Sequence, residues 1–397
     1  MHVNNTRRGF LATAAVPLAA AWSQAPSDRI RLGQIGGGGR SHDHLTEVKR
    51  TRENAAIVAV CDVWRVNREQ RAAEIEQAFG APPRETTHYQ ELLAMKDVDA
   101  VLIATPDMTH PRILMDAVAA GKDVYVEKPF AVEFAEAKAA WQAVKRSRQV
   151  VQVGTQMRSD PVNIGAARAI QSGAIGKITR VEMAVNFQEQ RWHKDLSNVK
   201  REDVDWEAFQ FGGRIRGPFD ARKLREWQLF RETTNGIPGL WMCHYIDLAH
   251  WFLDQPYPKH AVTLGGVYLW KDGRQTSDVF QATVEYADCL VTFAMSLTNA
   301  AGNRNAWYGT KGTLDLNHRT ISGDGSRDPQ RVAEPKTIEP VPVESHMANF
   351  LRSIRSRETP RASVDAGFSH AVAGCMAALS LETGRRVSFD AEKIELI

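Results

Sequence analysis

Strand-like apolar runs that alternate with helical stretches between residues 28 and 150 predict an α/β protein with a parallel sheet in its N-terminal part. Two further observations give that sheet a use. The turn Gly36-Gly37-Gly38-Gly39-Arg40-Ser41 joins the first strand to the first helix, and Asp62 ends the second strand. The second half is richer in strands and in tryptophan set beside Arg, Asp and His.

Residues 1–25 precede this fold. Thr6-Arg7-Arg8-Gly9-Phe10-Leu11 is a twin-arginine pattern, an apolar stretch runs from Leu11 to Trp22, and Ser23-Gln24-Ala25 is a small-x-small cleavage site. The stretch is too short for a typical membrane span. The pattern resembles a Tat export signal, which predicts passage of the folded chain through the Tat translocase, a mature chain starting near Pro26, a periplasmic or secreted location, and no stable membrane span.

Ile30 to Ile35 alternates as a strand, and His42 to about Arg52 has helical character. Gly36 and Gly38 fill the first two positions of G-x-G-x-x-G, with Ser41 at the third. A dinucleotide site needs this context, because a bare backbone must approach a pyrophosphate and helix N–H groups must point at it. Ala55 to Cys61 is a buried-type strand, and Asp62 follows Ser41 by 21 residues. A carboxylate there accepts the adenosine ribose hydroxyls and repels a 2′-phosphate; it also suits the N-cap of the next helix. NAD is the expected cofactor, and Arg65 keeps NADP open. A helix from Val66 to Phe79 is stopped by Gly80-Ala81-Pro82-Pro83. Asp99 to Ala104 is the next strand, ended by Thr105-Pro106-Asp107; Val124 to Val126 is another, ended by Glu127-Lys128-Pro129. Ligands of such sheets bind at these carboxyl ends.

Beyond residue 150, Ile178 to Phe187 alternates as a strand, and Asp203 to Phe230 is polar, aromatic and irregular, a length typical of functional or interaction segments. Ala261–Gly273, Thr276–Tyr286, Cys289–Leu297 and Asn305–Leu314 read as strands. Helices are expected from Glu344 to Arg355, with Met347, Phe350, Leu351 and Ile354 on one stripe, and from Ala366 to Glu382.

Composition narrows the function. A net charge of +3 and no basic run argue against nucleic acid or an anionic membrane as partner. The four cysteines are far apart and show no zinc-ligand spacing, so no metal and no disulfide are expected, with Cys61 and Cys289 buried. The ten tryptophans suit either sugar-stacking platforms or core.

Several motifs occur together and in order: Gly36-x-Gly38-Gly39-Arg40, Cys61-Asp62-Val63, Ala104-Thr105-Pro106, Gly121-Lys122-Asp123-Val124-Tyr125-Val126-Glu127-Lys128-Pro129-Phe130, Gln152 to Arg158, Gly173 to Lys177, and His244-Tyr245-Ile246-Asp247. With them the chain resembles the Gfo/Idh/MocA family of oxidoreductases over nearly all of its mature length. The resemblance implies a Rossmann dinucleotide-binding domain over 28–152. It implies an α/β substrate-binding domain over 153–397, with a large open, mostly antiparallel sheet that serves homodimer or homotetramer assembly. It makes Gly36, Gly38, Gly39, Arg40, Ser41, Asp62, Thr105, Pro106, Glu127 and Lys128 the cofactor-site residues. It makes Lys128 and His244 the proton-transfer pair, with Lys128 reaching both substrate and nicotinamide ribose. The family commonly places aspartate four residues before that histidine, where this chain has Leu240. Asp247 matches the family as well and reads first as a structural helix residue. Arg158, Trp192, His193, Arg225, Trp227, Asp247 and Tyr308 are the substrate-pocket candidates, suited to a carbohydrate by hydrogen bonding and ring stacking.

Three functions follow as alternatives. One is an NAD(P)-dependent oxidation of a sugar or polyol secondary hydroxyl, with the cofactor bound tightly before export. Another is a glycoside hydrolase or epimerase that takes a hydride and returns it. The third is a non-catalytic sugar-binding relative, which Leu240 alone supports.

Overall fold

The computed structural model describes residues 29–397, so the export pattern falls outside the described residues. The first unit runs β1 (Ile30–Ile35), α1 (Gly39–Arg50), β2 (Ala55–Cys61), α2 (Arg65–Phe79), β3 (Arg84–Thr86), α3 (Tyr89–Leu93), β4 (Ala100–Ile103), α4 (His110–Ala119), β5 (Asp123–Val126), α5 (Phe134–Lys145) and β6 (Val151–Val153). Its strands form one parallel sheet in the order β3-β2-β1-β4-β5-β6. Strand order reverses between β1 and β4, and a crevice opens there at the carboxyl ends. Every residue of β4 and β5 is buried, which is why both read as unbroken apolar runs.

The chain continues through α6 (Pro161–Gln171), β7 (Ile178–Asn186), the short α7 (Trp206–Phe209) and α8 (Ala221–Arg225), α9 (Cys243–Leu253), β8 (His260–Gly266), β9 (Val279–Glu285), β10 (Leu290–Ser296), β11 (Arg304–Gly309), β12 (Gly312–Asp315), β13 (Thr320–Ser322), β14 (Lys336–Thr337), α10 (His346–Ser356), α11 (Val364–Thr383), β15 (Val387–Asp390) and β16 (Glu395–Leu396). Strands β7 to β16 make a ten-stranded sheet in the order β14-β13-β12-β11-β7-β10-β9-β8-β15-β16. It is mostly antiparallel, with β7 and β10 parallel. The strand expected over Ala261–Gly273 ends at Gly266, because the Asp278 carboxylate gathers the N–H groups of Tyr268, Leu269 and Trp270, each at 2.8 Å, into a turn. The strand expected over Asn305–Leu314 is the β11–β12 hairpin.

The two units share core. Met347, Phe350 and Leu351 of α10 pack with Leu45 and Val48 of α1 and Tyr125 of β5, so the predicted stripe completes the first unit. Helix α11 is long and apolar enough to cross a membrane, yet 78% of its apolar window is buried inside the protein, as for a core helix.

Residues 187–230 form a strap over the mouth of the crevice. Val204 bridges Trp64 in antiparallel fashion, Asp205 N–H donates to the Val63 carbonyl at 2.9 Å, and Asp203 pairs with Arg65 at 2.5 Å. Trp64, Met108 and Val132 of the first unit close on Val204, Trp206, Phe209, Ile215 and Leu224 of the strap. Burying that many large side chains stabilises the closure by several times about 2 kcal/mol, well above the worth of its surface ion pairs.

Candidate active site

The glycine turn is built for close approach. Gly36 has φ +94°, and a Cβ there would lie 2.4 Å from the Ala104 carbonyl oxygen, so both backbone and space exclude a side chain. A Cβ at Gly39 would meet no protein atom within 4 Å; its bareness keeps the cleft clear and serves no packing need. Gly38 is the N-cap of α1 with no side chain capping that end. Ser41 Oγ donates to the Gly38 carbonyl at 2.6 Å and is fully buried, so it braces the turn from behind and does not line the cleft. Asp62 accepts the N–H groups of Gly37 at 2.6 Å and Trp64 at 2.7 Å. Burial pushes its carboxyl above the usual range against those two bonds. The carboxylate, which the Asn67 amide also approaches, keeps acceptor capacity for a ribose hydroxyl. Bare backbone, a free helix N-terminus and this carboxylate fit a dinucleotide. Arg65, by contrast, is engaged by Asp203 and Glu69 and does not line the cleft.

Glu127 is the hub beneath the turn. Arg40 Nε at 2.7 Å, His44 Nε2 at 3.0 Å and Gln156 Nε2 at 3.0 Å all converge on its Oε1. Burial opposes the charge, but the His44 bond and the Arg40 and Lys128 charges prevail and hold this carboxyl well below the usual range. A Cβ at residue 154 would come within 2.7 Å of Glu127 Oε2, which explains glycine there. His44 follows Arg40 by one helical turn, and that spacing was the available sequence signal for it.

Lys128 precedes a cis peptide bond to Pro129, and its Nζ donates to the Leu240 carbonyl at 2.9 Å. His110 lies between the carbonyls of Pro129 (Nδ1, 2.8 Å) and Thr105 (Nε2, 2.9 Å), tying together the tips of β4 and β5. His244 lines the same cleft; its Nδ1 is buried without a hydrogen-bond partner. Burial first, then the Lys128 charge, hold its imidazole well below the ordinary histidine range. Asp107, which follows Thr105-Pro106, is only 2% exposed and accepts a 2.7 Å bond from Thr234 Oγ1.

These groups share one cleft of about 1220 Å3, lined by Gly36, Gly38, Gly39, Arg40, Asp62, Thr105, Pro106, Glu127, Lys128 and His244. Of the substrate candidates, Trp192, Arg225 and Trp227 also line it, with the Arg225 guanidinium 5.0 Å over the Trp64 ring. The others stand elsewhere, which corrects the expectation for them. Arg158 makes a two-pronged bond to fully buried Asp247 (2.7 and 2.9 Å), behind α9 and outside the cleft. His193 is turned to Glu226 at 2.7 Å. Tyr308, on β11, donates to Glu182 at 2.7 Å under the Arg180 guanidinium. Each is an ionic or polar group satisfied by another residue, and sequence alone does not reveal that pairing. Sequence reasoning placed Asp107 at a strand end and Gln156 within a motif without giving either a role, and passed over His44 and Trp241.

Residues 30–155 match the oxidoreductase family's NAD-binding Rossmann fold, and residues 207–389 match the C-terminal alpha/beta domain of the same family. The scyllo-inositol 2-dehydrogenase (NAD(+)) of Bacillus subtilis is 34% identical over 150 residues, which is 38% of this chain and 42% of that enzyme. The match to such relatives thus spans less than half of their length. An inositol 2-dehydrogenase of Acidothermus cellulolyticus is 27% identical over 369 residues, covering 90% of this chain and 94% of that one. The WlbA dehydrogenase from Bordetella pertussis, solved with NADH and UDP-GlcNAcA, shares the fold with a TM-score of 0.69 at 18% identity, over 91% of this chain and 99% of that one. Levoglucosan dehydrogenase, solved with NADH and levoglucosan, does so at 0.67 and 18%, over 91% and 99%. With both halves matched in order and the cofactor cleft formed between them, this chain belongs to the Gfo/Idh/MocA oxidoreductase family.

Proposed function

We propose that the protein oxidises a secondary hydroxyl of a sugar or polyol with NAD, and that it is exported with the cofactor already bound. The observation that carries this reading is the continuity of the cleft, which joins the Gly36–Arg40 turn to Lys128 and His244 without a break. The names of the relatives, inositol and levoglucosan dehydrogenases, point to the same class of substrate. NAD, when bound, supplies the hydride acceptor. The turn and α1 hold its pyrophosphate, and Asp62 its ribose. With Arg65 committed to Asp203, no guanidinium at that position answers a 2′-phosphate, which favours NAD over NADP. Lys128 spends one of its N–H groups on Leu240 and keeps others for the substrate oxygen. Trp192 and Trp241 offer apolar faces for sugar C–H groups. Export through the Tat translocase rests on residues 6–25. Assembly through the open sheet is supported by exposed Val262, Leu264 and Leu290.

The strap favours a second reading, a glycoside hydrolase or epimerase that returns the hydride to its product. A cofactor held under a strap whose Phe209 lines the cleft and whose Val204 and Trp206 pack on Trp64 exchanges slowly and suits reuse within one turnover. One experiment tests both. Freshly purified protein is assayed for bound nicotinamide by absorbance and mass, then challenged with a panel of sugars, polyols and glycosides. Steady NADH formation with added NAD supports the oxidoreductase, and aglycone release without net NADH supports recycling. Protein that neither carries nor takes up a nicotinamide overturns both.

A further inference from the structure

The cleft is lined by five carboxylates, Asp43, Asp62, Asp107, Glu127 and Glu207. Four are committed or remote. Asp43 pairs with Arg40, Asp62 holds the glycine turn, Glu127 is engaged at Oε1 by Arg40, His44 and Gln156, and Glu207 is exposed on the strap. Asp107 differs. It is buried at the carboxyl end of β4, beside the strand whose end carries Lys128, and its side chain has a neutral hydroxyl as hydrogen-bond partner and no ion pair among the described residues. The titratable groups facing it are Lys128 and Glu127 from the end of β5 and Cys243 from α9.

Resting on the oxidoreductase reading, we propose that Asp107 is the proton acceptor of this site, a catalytic carboxylate that takes the substrate's hydroxyl proton while Lys128 holds the same oxygen. The step balances. The carbinol C–H bond breaks and its electron pair leaves with hydrogen to an oxidised nicotinamide. The O–H bond breaks and its proton goes to an Asp107 oxygen. The carbon is left doubly bonded to oxygen, and Asp107 becomes a neutral acid that loses its proton to solvent. A base works best when its pKa lies near the working pH. Burial pushes Asp107 up to about 7, even though Lys128 and the Thr234 bond pull it down and Glu127 adds to the rise only last. His244 is poorly suited to the same task, since burial and the Lys128 charge both oppose its protonation. That leaves His244 as a neutral hydrogen-bonding group beside the substrate.

Asp107→Asn keeps an oxygen for the Thr234 bond and removes the titration. The holoprotein and this variant are compared by infrared difference titration, and by the pH profile of bound-NAD reduction with a reactive sugar. The expected result is a carboxyl band titrating near pH 7 in wild type and missing in the variant. Turnover of the variant falls about 100-fold or more, with bound cofactor unchanged and the acid limb of the profile gone. Thr234→Val, which removes a bond that favours the charged form, moves that limb to higher pH. An Asp107→Asn profile like wild type overturns the proposal, as does a wild type with no such band between about pH 5 and 9. A wild type whose bound cofactor is reduced by none of the sugars or polyols overturns the oxidoreductase reading, and the proton-acceptor role falls with it whatever the infrared titration shows.

Discussion

Lys128 Nζ lies 2.9 Å from the main-chain carbonyl oxygen of Leu240, joining the tip of β5 to the turn that leads into α9. Residues 238–242 wind as a wide π-turn, which re-aims carbonyls that a regular helix keeps to itself. The apolar Leu240 side chain therefore does not leave the lysine unanchored. The main-chain carbonyl of residue 240 is the anchor. It fixes Lys128 without adding a negative charge, and the nearby negative charge comes from Asp107 and Glu127.

Lys128→Ala tests that anchor. Turnover is expected to fall by about 10²–10⁴-fold, the usual worth of a positioned proton-transfer or oxygen-binding group. Bound nicotinamide per protomer should stay at the wild-type level, because the glycine turn and Asp62 remain. Steady-state kinetics with cofactor quantitation on the same preparation checks both. Undiminished turnover removes Lys128 from the chemistry.

Much of this site was legible in the sequence, because its cofactor half depends on local chemistry. Gly36, Gly38 and Asp62 sit at fixed offsets from strand ends, and Glu127-Lys128-Pro129 follows a strand directly, so their places in the fold follow from the strands themselves. The substrate half depends on pairings at long range. Arg158 meets Asp247, 89 residues away, and Asp107 meets Thr234, 127 residues away. No periodicity encodes such meetings. Boundaries failed for the same reason: Asp278 ends the strand before Tyr268 from outside it.

Asp62 carries a prediction for the cofactor. Asp62→Ala removes acceptors from the Gly37 and Trp64 N–H groups as well as from the ribose. Losing these bonds costs about 1.5–3 kcal/mol, or roughly ten- to a hundredfold in NAD affinity. The preference for NAD over NADP should narrow in the same variant, since the repelling charge is gone. Calorimetric titration of apoprotein with each cofactor measures both effects, and equal losses for the two cofactors would place Asp62 outside the ribose site.

His346 and His370 make acid a structural stress. Burial is the main cause in both, and each is pushed down to about 4. Unfolded chain binds these protons near pH 6.5, so folding is favoured above that pH and the benefit is lost as pH falls from about 6.5 to 4, at about 3 kcal/mol per histidine. His370 Nε2 accepts the Phe130 N–H at 3.1 Å, two residues from Lys128, and protonation breaks that bond. His370→Gln offers an oxygen to the same N–H and does not titrate. Thermal unfolding across that window should therefore show a shallower pH slope for the variant, and a slope unchanged from wild type contradicts the assignment.

The strap predicts slow cofactor release. Trp206 is buried against Trp64 and its neighbours, and its indole N–H reaches the Gly217 carbonyl at 3.2 Å. Trp206→Ala removes about 3–5 kcal/mol of packing from the closure. Release of bound NAD, followed by stopped-flow trapping, is expected to quicken by at least about tenfold, well beyond the change in the unfolding rate of apoprotein. Equal effects on both make the strap an ordinary part of the core.

Arg158 and Asp247 separate a structural pair from a substrate contact. Asp247 is fully buried and Arg158 is 14% exposed at its side chain, with the guanidinium 5.5 Å over Trp251. Removing one partner leaves an uncompensated charge inside, so Asp247→Ala is expected to destabilise the protein by about 3–5 kcal/mol. Replacing both partners together, Arg158→Met with Asp247→Leu, should recover most of that loss, because no charge is then stranded. Neither change touches the cleft that holds Lys128, so KM should stay near wild type at temperatures where the variants are folded. A KM that rises steeply at unchanged stability would return Arg158 to the substrate site.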